Sequence, residues 1–271
     1  MAPPDESNPS ASEHIDPADS DGVLELFGAI CDRTAAILAT NADWSMSGER
    51  ESQYSIDVEI DDTCLNMLHS AGFAVLSEES GITGRSLADD GAMPTAIVVV
   101  DPLDGSTNAA LGLPWCATAL CLVVDGMPEV AMVSNLRTGD RYSSVRARGA
   151  WRNGASIHVN GADTLTNAIV AVNARPPEGF RPAQYRSMGA TALDIVSVAG
   201  PNGFDGSIDF DDDMIGVWDY LAAVSILREA GGAAADALGR ELVTLDHGAR
   251  RRPVTARSAT LLAELLGHAV E

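Results

Sequence analysis

Two aspartates lie at the end of the apolar run TAIVVV, in the segment DPLDGSTN: Asp101 and Asp104. Pro102 fixes one backbone angle and Gly105 permits a tight turn, so the two carboxylates can converge at a strand end instead of alternating across the strand. Carboxylates about 4 Å apart repel by roughly 4 kcal/mol at an effective dielectric of about 20, so they require a proton, a base or a metal between them. Oxygen ligands alone favour a hard cation such as Mg²⁺. The segment therefore indicates a candidate magnesium site.

The residues after Gly105 add a second feature. Ser106 and Thr107 supply hydroxyl and backbone N–H groups at a position suited to the first turn of a helix, and a helix N-terminus attracts phosphate. An Asp-Pro-x-Asp-Gly turn by itself is also typical of a solvated loop. The interpretation as a functional site therefore depends on support from elsewhere in the chain.

Two distant acidic positions supply that support. Glu78 opens a Glu-Glu pair directly after the apolar run FAVL, and Asp219 follows Trp218 at the start of an apolar segment that ends in Gly-Gly. Alone, an acidic pair is usually solvated and an aspartate at a helix start usually caps the helix. Neither position by itself indicates that it shares a site with the DPLDGS segment.

Together these elements resemble the signatures of the inositol monophosphatase superfamily, whose central motif reads Asp-Pro-[Ile/Leu]-Asp-Gly-[Ser/Thr] between an upstream Glu-Glu pair and a downstream Trp-Asp pair. The resemblance covers roughly residues 22–232 and includes the segment GATALD at 189–194. It implies an α+β fold, a layered α/β/α/β/α sandwich of the type shared with fructose-1,6-bisphosphatases. It also implies Mg²⁺-dependent hydrolysis of a small phosphorylated metabolite, a phosphate monoester, by a protein that is commonly a homodimer.

The same resemblance assigns roles to individual residues. The metal ligands would be four carboxylates and one main-chain carbonyl: Glu78, Asp101, Asp104, Asp219 and the carbonyl of Leu103. The catalytic residues would be Asp57, Ser106 and Glu78, with Asp57 and Ser106 orienting and activating a metal-bound water for in-line attack. The substrate-binding residues would be Asp104, Gly105, Ser106, Thr107, Gly189, Thr191, Asp212 and Asp219. Asp212 would hold substrate hydroxyl groups, with Asp211 and Asp213 as the alternatives one residue to either side.

Several substrates and two other classes of function stay open. Inositol monophosphate or a related polyol or sugar phosphate is the first expectation, and other members of the superfamily act on histidinol phosphate, fructose 1,6-bisphosphate or adenosine 3′,5′-bisphosphate. Phosphatases of the last kind usually have a lysine after Asp-Gly-Thr, where this chain has Thr107-Asn108. Many members also carry a lysine before the second helix, near a weaker third metal site, but residues 44–51 contain none. The alternatives from other classes are a non-catalytic metal-binding relative and an interaction module built on the arginines at 250–252 or on those between Arg137 and Arg152.

The elements that position these residues follow from hydrophobic periodicity and turn signals. They predict a disordered tail at 1–20, an α+β metal-binding subdomain at 21–160 and an α/β substrate-binding subdomain at 161–271. A cleft is expected between the two subdomains, and an antiparallel sheet is expected in the middle of the chain. Helices are predicted at 22–39, 56–70, 191–198 and 220–230, and strands at 73–76, 95–100, 118–124, 129–135, 140–145 and 169–172.

Composition and charge exclude several functions. The formal net charge of -22 opposes general binding to nucleic acid or an anionic membrane. All 17 basic residues other than histidine are arginine, so mechanisms that need a Schiff-base or P-loop lysine are excluded. The four cysteines have no zinc-site spacing and are expected to be buried free thiols. No secretory signal or apolar span long enough for a bilayer is evident, so we expect a cytoplasmic location.

Overall fold

Hydrophobic stripes of helical spacing build the helices of this chain. The structure is a computed structural model that describes residues 14–40, 43–48, 53–84 and 95–269. In the first helix Val23, Phe27 and Ile30 are buried at intervals of four and three residues, which places them on one face. The helices within the described ranges are α1 (Ser20–Thr40), α2 (Ser55–Ser70), α3 (Ser106–Ala110), α4 (Thr191–Ala199), α5 (Val217–Glu229) and α6 (Ala259–Ala269).

The first sheet has eight strands in the order β2-β1-β3-β4-β5-β6-β7-β8. β1 and β3 run parallel, whereas the other neighbouring pairs are antiparallel. The strands are β1 (Ala74–Ser77), β2 (Gly81–Thr83), β3 (Ala96–Asp104), β4 (Ala117–Val124), β5 (Met127–Asn135), β6 (Arg141–Val145), β7 (Gly149–Arg152) and β8 (Ala155–Ile157).

The second sheet has five strands in the order β10-β9-β11-β13-β12. β10, β9 and β11 are parallel to one another, and β13 is antiparallel to both of its neighbours. The strands are β9 (Ile169–Asn173), β10 (Gln184–Arg186), β11 (Gly206–Asp209), β12 (Ala233–Asp236) and β13 (Pro253–Ala256).

The two sheets and five of the helices form five layers. α1 and α2 cover one face of the first sheet, α4 and α5 pack between the two sheets, and α6 covers the outer face of the second sheet. The first five residues of β3, at 96–100, are all apolar because both faces of the strand are covered. Ile97 and Val99 join the core with α4 and α5, while Val98 and Val100 join the core with α1 and α2. The expected α/β/α/β/α sandwich is confirmed.

Most of the predicted elements are confirmed, including every predicted helix and the antiparallel character of the middle of the chain. The strands β2, β7, β8 and β10 to β13 and helix α6 were not predicted. Strand β12 has the sequence AAAD, and alanine and aspartate have low strand propensity, so its conformation depends on pairing with β13.

The predicted boundary near residue 160 falls between the two sheets, but α4 and α5 pack against both of them, and the division into subdomains stays a prediction. Of the predicted tail, residues 1–13 lie outside the described residues, and the Ile15 N–H donates to the Ala71 carbonyl at 3.1 Å. All four cysteines are buried and free, as expected. No helix in the described ranges combines the length and the apolar character needed to cross a bilayer.

Candidate active site

A β-bulge at the end of β3 brings Asp101 and Asp104 to one side of the strand. Asp101 pairs with Ala119 of β4 and Asp104 pairs with Ala117, so β3 advances by three residues while β4 advances by two. In a regular strand, side chains alternate between the two faces, so residues three positions apart point to opposite faces. The extra residue of the bulge shifts this alternation by one, so Asp101 and Asp104 point to the same face. Both carboxylates therefore line the same cleft, as the sequence predicts.

Gly105 turns the chain directly from β3 into α3. Its φ of 78° and ψ of 39° lie in the left-handed region, which glycine adopts without steric cost. A Cβ atom at this position would lie 2.9 Å from the Trp115 carbonyl oxygen and 2.9 Å from the Ala190 Cβ. Conformation and space thus both require glycine, and Ser106 becomes the first residue of α3.

Glu78 reaches the site because β1 is parallel to β3. Ser77 at the end of β1 is paired with Val100, and the N–H of Glu78 donates to the Val100 carbonyl at 3.3 Å. The carboxyl ends of parallel strands lie at the same edge of a sheet. Glu78 and Asp101 are therefore neighbours, although 23 positions separate them in the sequence.

Asp219 comes from the middle helical layer, in the first turn of α5. Its Oδ2 accepts a hydrogen bond from the Gly216 N–H at 2.7 Å, which satisfies one of the free donors at the helix N-terminus. Asp219 therefore caps its helix, as an aspartate at a helix start usually does. The same carboxylate also joins Glu78 and Asp101, because one ligand oxygen from each of the three residues lies within 4.8 Å of the others.

The electrostatics of these three carboxylates favour a bound cation. Asp101 is fully buried; its Oδ1 accepts from the Leu103 N–H at 3.0 Å, whereas its Oδ2 has no hydrogen-bond partner in the described part of the chain. Burial raises the pKa of Asp101 well above its ordinary value, and the negative charge of Glu78 raises it further. Burial and the charge of Glu78 act in the same way on the pKa of Asp219. A buried, unpartnered oxygen in an all-carboxylate cluster fits a hard divalent cation, which supplies the missing positive charge.

Asp104 takes a different place from the other predicted ligands. Its Oδ1 accepts from the Thr191 N–H at 3.1 Å and its Oδ2 accepts from the Ala192 N–H at 2.8 Å, so this carboxylate caps α4 across the structure. The residue before α4, Ala190, has no side chain able to do so. Burial raises the pKa of Asp104 to about 7 despite these hydrogen bonds. Each carboxylate oxygen offers two lone pairs, so capping leaves acceptor capacity for a cation.

The cluster lies at the floor of a cleft of about 250 Å³. Asp57 lies in the first turn of α2, where its Oδ2 accepts from the Tyr54 N–H at 2.8 Å, and Ser106 and Thr107 lie in the first turn of α3. The cleft is lined by Gln53, Asp57, Glu78, Glu79, Asp101, Leu103, Asp104, Gly105, Ser106, Thr107 and Asp219. The structure therefore brings together every predicted metal-binding and catalytic residue.

Three of the predicted substrate-binding residues are not among the described residues that line this cleft: Gly189, Thr191 and Asp212. Gly189 and Asp212 are exposed. Thr191 contacts the cleft only indirectly, through the hydrogen bond of its backbone N–H to Asp104. Their roles in binding substrate stay predictions.

Sequence reasoning missed three polar residues at or beside the cleft. The amide of Gln53 donates to the carboxylate of Glu79, and both side chains line the cleft. The buried Asn108 donates its amide N–H groups to the carbonyls of Trp115 at 2.9 Å and Met188 at 2.7 Å, which fastens α3 to the chain before α4. Glu79 was visible as half of the acidic pair, but no local signal marks the contacts of Gln53 or Asn108.

The chain matches the family model described as the inositol monophosphatase family over residues 27–271. It is 26% identical over 227 residues to an inositol monophosphatase of Mesembryanthemum crystallinum, which spans 76% of this chain and 82% of that protein. It is 31% identical over 209 residues to a fructose-1,6-bisphosphatase/inositol-1-monophosphatase of Archaeoglobus fulgidus, which spans 74% of this chain and 76% of that protein.

The fold is similar to that of the extragenic suppressor protein SuhB from Bartonella henselae. The TM-score is 0.76 at 22% sequence identity, with 92% of this chain and 99% of that chain covered. Fold, acidic cleft and family match together place the chain among the phosphatases that hydrolyse phosphoric monoesters. Within that class, the chain belongs to the inositol monophosphatase family.

Proposed function

We propose that this protein hydrolyses a small phosphate monoester with the help of Mg²⁺, and that inositol monophosphate or a related polyol or sugar phosphate is its substrate. The observation that carries the proposal is the group of Glu78, Asp101 and Asp219, in which Asp101 is buried with its Oδ2 unpartnered and the other two are half-buried. Three carboxylates this close together, one of them fully buried, are unstable without a counter-charge. A cleft that holds cations also attracts an anionic phosphate, although the net charge of the chain is -22.

The ion-holding residues would be Glu78, Asp101, Asp104, Asp219 and the carbonyl of Leu103. Bound divalent ions lower the pKa of water, neutralise phosphoryl oxygens and stabilise a leaving alkoxide. This role for ions agrees with the rest of the cleft, because no cysteine or histidine is among its described lining residues to form a phosphoenzyme.

Asp57 and Ser106 are proposed to orient the attacking water. Asp57 is 5% exposed, and the hydrogen bond from the Tyr54 N–H fixes the direction of its carboxylate. Ser106 is held at the first position of α3 by the Gly105 turn. In this arrangement the hydroxyl group would donate to the carboxylate and accept from the water. A lone pair of the water would then be directed towards phosphorus, and the carboxylate would take up the released proton.

Asp212 is proposed to bind the hydroxyl groups of the substrate alcohol. Its neighbour Asp213 is engaged by Arg240, whose Nη1 lies 2.8 Å from Asp213 Oδ2, and Arg240 also pairs with the buried Asp236. This ion pair engages Asp213, whereas Asp211 and Asp212 are both exposed in the loop between β11 and α5, and Asp211 Oδ1 accepts from the Asp212 N–H at 3.0 Å. The number of bound ions, the homodimer and the cytoplasmic location stay predictions.

The proposal is tested by phosphate release from inositol 1-phosphate, fructose 1,6-bisphosphate, histidinol phosphate and adenosine 3′,5′-bisphosphate, each with and without Mg²⁺. We expect Mg²⁺-dependent turnover of inositol 1-phosphate, and a loss of about 100-fold or more in kcat/KM for Asp101→Asn, because cation stabilisation contributes several kcal/mol and each 1.36 kcal/mol is tenfold. Asp125→Asn, in an exposed β-turn, is the matched control and should keep full activity. No turnover of any substrate would refute the proposal.

Fructose 1,6-bisphosphate is the second candidate substrate. It is favoured by two relatives at 31% identity, from Archaeoglobus fulgidus and Thermococcus kodakarensis, which are both named fructose-1,6-bisphosphatase/inositol-1-monophosphatase. The ratio of kcat/KM for the two substrates decides between a monophosphatase and an enzyme with both activities.

A further inference from the structure

His247 connects the loop between β12 and β13 to the acidic cluster. Its Nε2 lies 3.1 Å from the main-chain carbonyl oxygen of Glu78. A carbonyl oxygen can only accept a hydrogen bond, so Nε2 carries the proton and donates it. The peptide group after Glu78 is thus held by a side chain that lies 169 positions further along the chain.

The ring of His247 is itself held against Trp218, the residue before Asp219. The two ring centroids are 4.8 Å apart and the ring planes are inclined by 30°. The guanidinium of Arg250 lies 5.0 Å from the centre of the Trp218 ring, and its Nη1 donates to the His247 carbonyl at 2.8 Å. Trp218 is only 5% exposed, so the histidine is fastened to a buried part of α5 rather than to a free loop.

These contacts connect the three chain segments that carry the carboxylates of the cluster. The Glu78 N–H donates to the carbonyl of Val100, which precedes Asp101, and the Glu78 carbonyl accepts from His247, which stacks on the residue before Asp219. Asp101 belongs to the first sheet and Glu78 directly follows its strand β1, whereas Asp219 belongs to the helical layer behind the sheet. His247 therefore connects these two layers beside the cluster.

We propose that His247 is a positioning residue that holds the Glu78 main chain and the start of α5 at the separation in which their carboxylates share a divalent cation. The inference rests on the proposed metal-dependent function. The repulsion among the carboxylates acts to separate these segments, so a hydrogen bond that resists separation raises the affinity for the ion by pre-organising its ligands.

The test is a calorimetric titration of the full chain with Mn²⁺, performed on two matched pairs of proteins. The wild type and His247→Phe both keep an aromatic ring against Trp218, but only the wild type keeps the donor. His247→Gln and His247→Leu both lose the ring, but only glutamine keeps an N–H donor. In the first pair both proteins keep the ring packing, and in the second pair both proteins lose it. The difference within each pair therefore reports the hydrogen bond and not the packing of the ring.

We expect the member without the donor to bind Mn²⁺ about three- to tenfold more weakly in each pair, which corresponds to one hydrogen bond. His158→Ala, at an exposed position, should bind as the wild type does. In EDTA, His247→Phe should unfold at a slightly lower temperature than the wild type, because it leaves the Glu78 carbonyl without its donor, and the rise in unfolding temperature that Mn²⁺ gives should be smaller as well.

Three other outcomes are informative. Equal Mn²⁺ affinity within both pairs would overturn the role of His247 while leaving the proposed function intact. A wild type that binds Mn²⁺ with the expected difference within pairs, but that hydrolyses no substrate, would remove the proposed function and keep the role of His247. A wild type that binds no Mn²⁺ would refute both.

Discussion

Replacing Gly105 by alanine should destabilise the protein through two separate effects. The first is conformational, because φ is 78° at this position and an L-residue in the left-handed region costs about 1–2 kcal/mol. The second is steric, because the new Cβ would lie 2.9 Å from the Trp115 carbonyl oxygen and the Ala190 Cβ, and overpacking of this kind typically costs about 1–3 kcal/mol. Together they predict a loss of roughly 2–5 kcal/mol in the free energy of unfolding.

The second effect has consequences for the site. The atoms that must move belong to Trp115 and to Ala190, directly before the two N–H groups that Asp104 caps. Displacement of this segment shifts the start of α4 and, with it, the Asp104 carboxylate. We therefore expect Gly105→Ala to reduce kcat/KM as well as stability.

The assay is urea unfolding monitored by tryptophan fluorescence, with Gly126→Ala as the control. Gly126 has a φ of 77°, nearly that of Gly105, but a Cβ there would meet nothing within 4 Å. It should lose only the conformational contribution of about 1–2 kcal/mol and keep its activity. Equal destabilisation by the two substitutions would refute the argument that close packing, and not φ alone, requires glycine at 105.

Three further predictions concern buried polar groups. Asp101→Asn should be more stable than the wild type in EDTA, because it removes a buried charge, and should lose the increase in unfolding temperature that Mg²⁺ gives the wild type, which differential scanning calorimetry measures. Burial raises the pKa of Asp194 well above its ordinary value. The folded state therefore keeps a proton that the unfolded state releases at lower pH. The contribution of this group to stability is complete at low pH and falls as pH rises through the raised pKa. Asp194→Asn does not titrate, so in urea unfolding its stability relative to the wild type should increase from pH 5 to pH 8, and a constant difference would contradict the prediction. Asn108→Ala should lower the free energy of unfolding by about 1–3 kcal/mol, because it leaves the half-buried carbonyls of Trp115 and Met188 without their donor.

The local features of this site follow from sequence because they depend on neighbouring residues. Pro102 and Gly105 determine backbone angles within the turn, so the convergence of Asp101 and Asp104 was predictable from five consecutive residues. Helices α1, α2, α4 and α5 were predictable for the same reason, since a buried stripe repeats along a single segment. The membership of Glu78 and Asp219 in one site followed from the resemblance to a family and not from periodicity.

Tertiary structure decided how the distant carboxylates meet and what supports them. β1 pairs in parallel with β3, and this pairing brings Glu78 to Asp101. A run such as FAVL predicts a strand but does not indicate which strand it pairs with. The capping of α4 by Asp104 arises because Ala190 cannot cap its own helix and another carboxylate is within reach.

The contact of His247 with Glu78 has no sequence signal of any kind, because a single histidine in an irregular loop belongs to no periodic pattern. The physical reason is common to these cases: a pairing or hydrogen bond between distant segments depends on how whole layers pack. Local sequence sets the shape of each segment, and burial against the other layers selects which segments become neighbours.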